Sequence, residues 1–137
     1  MNQATMLSLL ARAPAEQIKL LAEDLIPELE PIEVVRNRTG LVMLPATEPV
    51  HGASFYLGEA LIAEAYVRAA LVEGYAACLG RDLEQALAIA LIDAARAAAI
   101  AQDRIEAFLT REQARQLAED RQLQAAVQAT RVEMETF

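Results

Sequence analysis

Residues 61–85, LIAEAYVRAALVEGYAACLGRDLEQ, change their hydrophobic period part-way along, and that change decides the fold class. Glu64 and Arg68 alternate with Ala63, Ala65 and Val67, the two-residue period of a strand with one face in water and the other in a core. Beyond Gly80 the period is helical. Asp82 is placed to cap a helix, with Gln85 three positions on, and Leu83, Ala86, Leu87, Ala90, Leu91 and Ala94 form a broad apolar stripe. This helix is expected to run to about Ala107, and the small residues on the strand's inner face would let it sit close.

Upstream, Glu33-Val34-Val35-Arg36, Leu41-Val42-Met43-Leu44 and Ser54-Phe55-Tyr56-Leu57 are further short apolar or alternating runs, followed by Leu61–Ala69 and Tyr75–Leu79. Asn37–Gly40, Pro45–Gly52, Gly58-Glu59 and Glu73-Gly74 supply turn residues between them, so an antiparallel meander of four or five strands is predicted. At the N-terminus, Met6, Leu9 and Leu10, then Ile18, Leu21 and Leu25 beyond Pro14, have helical spacing on either side of a proline. Pro27 and Pro31 are read as bracketing a turn, and Glu23, Asp24, Glu28, Glu30 and Glu33 as marking a solvated exit. Downstream, Thr110 with Gln113 suggests a second capping box, opening a more polar helix with Leu117, Leu123 and Val127 on its buried side. The prediction is one α+β domain over residues 1–137: N-terminal helices, a four- to five-stranded antiparallel meander, and two C-terminal helices packed on the sheet.

With 137 residues the chain can bury about two-thirds of its unfolded surface. It is 55% hydrophobic but only 4% aromatic, so the core has to be built from Ala, Leu, Ile and Val. The net charge of −8, with Lys19 the single lysine, argues against a nucleic-acid binder, which needs a clustered basic face. Arginine carries nearly all the positive charge and suits bidentate contact with carboxylates or phosphates. A lone cysteine, Cys78, excludes an internal disulfide and fits a reducing compartment, so a cytoplasmic location is expected. The first ten residues lack the pattern of a signal peptide, and the apolar run Ala86–Ile92 is too short for a membrane span before Asp93 and Arg96 interrupt it.

Few residues carry chemistry. His51, between Pro49 and Gly52, reads as an exposed loop side chain with nothing nearby to activate it. Cys78, between Ala77 and Leu79, reads as a small buried hydrophobe. Gly80-Arg81-Asp82 could cradle a phosphate at a helix N-terminus, but the Asp82 carboxylate would occupy those donors and repel an anion, leaving Arg81 exposed or salt-bridged. Arg36 and Arg38, followed by Thr39-Gly40, form a basic pair read as sitting at a hairpin turn, with Gly40 at positive φ. They either dock an acidic partner or a nucleotide phosphate, or are simply solvated. Phe55 and Tyr56 must point to opposite faces of a strand, so at least one covers an interface unless a helix packs over it.

Glu33-Val34-Val35-Arg36, Thr39-Gly40-Leu41-Val42, Phe55-Tyr56-Leu57-Gly58-Glu59-Ala60, Val67-Arg68, Gly74-Tyr75, Gly80-Arg81-Asp82, Leu91-Ile92-Asp93-Ala94 and Thr130-Arg131-Val132-Glu133 follow one another in this order. In that order they resemble PhnG proteins, the small G subunits of the bacterial carbon-phosphorus lyase core complex. Where some relatives carry aromatics after the Gly-Tyr pair this chain has Ala76-Ala77, and beyond Arg131 it has Met134 and Phe137 in place of an aromatic pair.

The resemblance implies a hetero-oligomer with PhnH, PhnI and PhnJ. In it PhnI, with PhnG, PhnH and PhnL, transfers the ribose triphosphate of ATP to a phosphonate and releases adenine, and PhnJ then cleaves the carbon-phosphorus bond. It also implies an accessory subunit of alpha-D-ribose 1-methylphosphonate 5-triphosphate synthase that binds no cofactor of its own, ATP being a substrate of the complex. The expected partner or ligand contacts are Arg36, Arg38, Thr39, Gly40, Phe55, Tyr56, Arg81 and Arg131. Two other readings stay open: a stand-alone homodimeric module binding a phosphate or phosphonate through Arg36, Arg38 or Arg68, and a small hydrolase using His51. An exposed strand edge left without its partner could self-pair, so a homodimer of the isolated chain would be a substitute for the missing neighbour.

Overall fold

A computed structural model describes the backbone of residues 1–135 and the side chains of residues 1–131. Met134 and Phe137, singled out in the sequence, lie outside the described side chains. The chain divides into two compact units, Met1–Gln102 and a second beginning at Asp103.

The first unit opens with helix α1, Gln3–Arg12, whose N-terminus is capped by the Asn2 side chain accepting from the Thr5 N–H at 2.8 Å. Helix α2, Ala15–Leu29, starts directly after Pro14 and buries Ile18, Ala22, Leu25 and Leu29 along one stripe. The two helices fall where the sequence predicts them. Pro27, however, lies inside the last turn of α2 rather than at a turn, and the helix ends at Leu29, with Glu30 as its C-cap.

The sheet has three strands, not four or five. Strand β1 spans Ile32–Thr47, β2 Ser54–Ala69 and β3 Val72–Leu79, in the antiparallel order β1-β2-β3. Pairs of predicted strands have fused: β1 runs straight through Asn37–Gly40, with Asn37 opposite Ala65 and Gly40 opposite Ile62, and β2 runs through Gly58, opposite Leu44. A glycine does not turn a strand when its partner strand keeps pairing across it. Gly40 accordingly is not at positive φ. Bulges between Val34 and Arg36 and between Leu44 and Pro45 absorb the irregularities, the second accommodating proline on an edge strand.

The β2–β3 turn is also displaced from the predicted Glu73-Gly74. It is the two-residue link Ala70-Leu71, with φ of 49° and 66°, the left-handed pair that matches the twist of a tight hairpin. Gly74 instead lies within β3, where helix packing requires it: a Cβ there would come within 3 Å of Ala90 O, Ala94 Cβ and Ala94 N. Helix α3, Leu83–Ala97, crosses the sheet at this point. It is capped by Asp82, whose Oδ1 accepts the Gln85 N–H at 3.0 Å, and Asp82 also pairs with Lys19 of α2 at 2.9 Å. Ala63, Ala65, Val67 and Ala69 of β2 and Ala76 and Cys78 of β3 turn inward against α3, whose Ala86 and Ala88–Ala95 are buried. The alanine-rich faces permit this close approach, as the sequence implied.

α3 stops ten residues short of the expected Ala107. Ile100 N–H donates to Ala95 O at 2.8 Å and Ala99 N–H to Arg96 O at 3.1 Å, with Ala99 at φ 58°, which is the Schellman pattern built on alanine where glycine is usual.

The second unit is the body of one helix, α4, which spans Gln102–Glu135 without interruption. Thr110 lies inside it, so no new helix begins there. Leu117, Leu123 and Val127, expected on a buried side, are exposed. Arg115 bridges Glu112 at 2.6 Å and Glu119 at 2.8 Å, three and four residues away, and such rungs support a long helix with little apolar face. No helix among the described residues is long and apolar enough to cross a membrane.

Candidate partner interface

Alternation along the strands divides the sheet into an inner face under α3 and an open face. On the open face Glu64 is the centre of a polar cluster. Its Oε2 accepts from the Tyr75 hydroxyl at 2.7 Å and its Oε1 from Arg36 Nε at 3.3 Å and Arg38 Nε at 3.2 Å. The Tyr75 hydrogen bond, followed by the two guanidinium groups, holds the Glu64 carboxyl below its ordinary range. Tyr66 lies between Arg36 and Arg68, with the guanidinium carbons 5.3 and 5.8 Å from its ring centre. Arg68 in turn faces Glu33 at 3.8 Å and Glu73 at 3.7 Å. Every arginine of this face thus has a carboxylate of the same chain within 4 Å.

Beyond this cluster the sheet thins. β3 ends at Leu79, opposite Ile62, so Ser54–Leu61 of β2 pairs only with β1. The result is a two-stranded arm closed by the loop Glu48–Ala53, in which Glu48 accepts the backbone N–H groups of Val50 and His51 at 2.6 and 2.7 Å. Leu41 is 64% exposed, Met43 50%, Tyr56 64% and Leu57 68%. Val42, Leu44 and Phe55 are also exposed. Water thus meets an apolar ribbon on both faces, and a contiguous apolar surface of this kind marks a binding site. Between the arm and the polar cluster lies a depression of about 380 Å³ bordered by Arg38, Thr39, Gly40, Leu41, Val42, Ile62 and Glu64.

The structure brings Arg36, Arg38, Thr39 and Gly40 together, on a strand rather than at a turn. It places Phe55 and Tyr56 both exposed on the arm, with no helix over either. His51 is exposed in the arm's loop. Arg81 is exposed at the turn before α3, and Arg131 is exposed on α4, in the other unit. Cys78 is buried, and burial pushes its thiol up, away from the thiolate that nucleophilic chemistry needs. Among the described residues no group of three or more His, Cys, Asp or Glu side chains could hold a metal ion. Sequence reasoning missed Leu41–Leu44 and Leu57 as candidate interface residues. Their unbroken apolarity was the available signal, since a strand with one face in water would alternate.

The family described as "Phosphonate metabolism protein PhnG" matches residues 1–137. The chain belongs to the PhnG family. It is similar to a curated protein from Rhizobium meliloti (strain 1021), "Alpha-D-ribose 1-methylphosphonate 5-triphosphate synthase subunit PhnG", at 37% identity over 131 residues, which cover 94% of this chain and 83% of that one.

Proposed function

We propose that this chain is an accessory, non-catalytic subunit of the carbon-phosphorus lyase core complex. It supports the transfer of the ribose triphosphate of ATP to an alkylphosphonate, with release of adenine, by assembling with PhnH, PhnI and PhnJ, while PhnL contributes functionally. The observation that carries this reading is the bare arm: an apolar ribbon that a free-standing protein has no reason to keep in water. The name of the Rhizobium relative, a synthase subunit, supports it. The alternative of a stand-alone phosphate or phosphonate module through Arg36, Arg38 or Arg68 is disfavoured, because Glu64, Glu33 and Glu73 already neutralise those arginines.

Co-expression with PhnH, PhnI and PhnJ followed by size-exclusion chromatography tests the proposal. Stoichiometric co-elution, and ATP- and phosphonate-dependent adenine release only from the assembled mixture, are expected. Comparable release by the isolated chain, or failure to co-elute with folded companions, would overturn it.

A further inference from the structure

Strand alternation sorts the arm's exposed side chains into two sets. Val42 and Leu44 continue the open face of the sheet, whereas Leu41 and Met43 continue the face that α3 covers further along, joined beyond the bulge at Leu57 by Tyr56, which pairs with Pro45. Both sets are apolar and both are exposed, and β3 ends opposite Ile62. A strand lying on a single flat surface needs only alternate residues to be apolar; continuous runs such as Leu41–Leu44 belong to strands buried on both faces.

Charge narrows the occupant. Residues 39–67 contain no lysine or arginine. Glu48 is used within its own loop, but Glu59, opposite Met43 on the arm, makes no ion pair among the described residues. We infer that the arm is gripped on both faces between two apolar walls of a partner subunit, which also presents a cation to Glu59. A second copy of this chain does not fit. Face-to-face stacking of two arms would cover one face of each, and edge-to-edge pairing would cover neither. Either would also bring one arm's carboxylates toward another arm lacking lysine and arginine.

This inference rests on the subunit reading, and the experiment separates the two. Val42→Cys and Met43→Cys, one on each face, are made in the full chain. Buried Cys78 in the parent sets the background of maleimide labelling. Both positions are exposed in the isolated chain, so circular dichroism unchanged from the parent is expected.

In the complex with PhnH, PhnI and PhnJ, labelling at both positions should slow by about tenfold or more relative to the isolated chain. Slowing at one position only would mean a single wall and overturn the inference. Slowing at neither, in a complex that has formed, would also overturn it while leaving the subunit reading intact. Failure of the parent chain to assemble would remove the subunit reading and the inference with it. Glu59→Lys should reduce the amount of complex recovered more than Glu59→Gln does; equal recovery would refute the cationic contact.

Discussion

The carboxylate of Asp93, in α3, accepts the backbone N–H of Tyr75, in β3, at 3.0 Å. Gly80 N–H donates to Leu61 O at 2.9 Å, which sets the phase of the β2–β3 ladder and makes Tyr75 and Tyr66 a pair that exchanges no backbone bonds. The Tyr75 N–H therefore points off the sheet edge, where another strand could have taken it. Asp93 takes it instead, and Gln3 of α1 braces the same carboxylate with its amide at 3.2 Å. One side chain thus ties α1, α3 and β3 together and blocks part of one edge of the sheet.

Replacing Asp93 with Ala should leave that N–H without its acceptor and cost about 1–3 kcal/mol in urea denaturation. Asp93→Asn, which keeps an acceptor oxygen, should lose less. Equal losses for the two variants would show that the acceptor is not what matters.

Gly74→Ala should be among the most damaging single changes in the first unit. The new Cβ would meet Ala90 O, a backbone atom that cannot swing aside, and would push α3 off β3. A loss of about 1–3 kcal/mol or more is expected from overpacking. Ala77→Gly, on the exposed side of the same strand, is the comparison: it should cost only about 1 kcal/mol in backbone entropy.

The class of the fold, the two N-terminal helices, the Asp82 cap and the inner face of β2 were legible because each rests on a local period or a capping residue. What escaped were features in which one residue type does another's work. Gly40 and Gly58 punctuate the sequence, yet the pairing of two 16-residue strands carries the chain through both. Ala70-Leu71 and Ala99 adopt left-handed conformations that sequence rules assign to Gly or Asn, so the true β2–β3 turn and the end of α3 gave no signal. Of the candidate site, Arg36, Arg38, Phe55 and Tyr56 could be named from residue type. That Glu64 would claim both arginines, and that nothing would cover Phe55 or Tyr56, depended on register and strand length.

That turn supplies a test in the opposite direction. Ala70 and Leu71 each hold positive φ at a cost in backbone energy, and Leu71, fully exposed, has no buried contact in return. Changing Ala70 to Asn and Leu71 to Gly together should stabilise the isolated chain by about 1–2 kcal/mol and raise its thermal midpoint. An unchanged midpoint would show that the hairpin is held by its ladder and not limited by its turn.

Glu64 predicts the acid limb of stability. Its carboxyl is held low in the folded chain, chiefly by the Tyr75 hydroxyl and then by Arg38 and Arg36. As pH falls, the unfolded chain therefore takes up this proton first. The contribution is fully present above the ordinary glutamate range, about pH 4.3, and drains away as pH drops through the folded value beneath it. Glu64→Gln keeps the shape but cannot ionise, so its stability deficit relative to the parent should be largest near neutrality and shrink below about pH 4. Because the cluster faces solvent, the deficit should be modest and should narrow further in high salt. Urea midpoints measured from pH 7 down to pH 3 would show the two curves converging; parallel curves would mean that Glu64 contributes packing rather than charge.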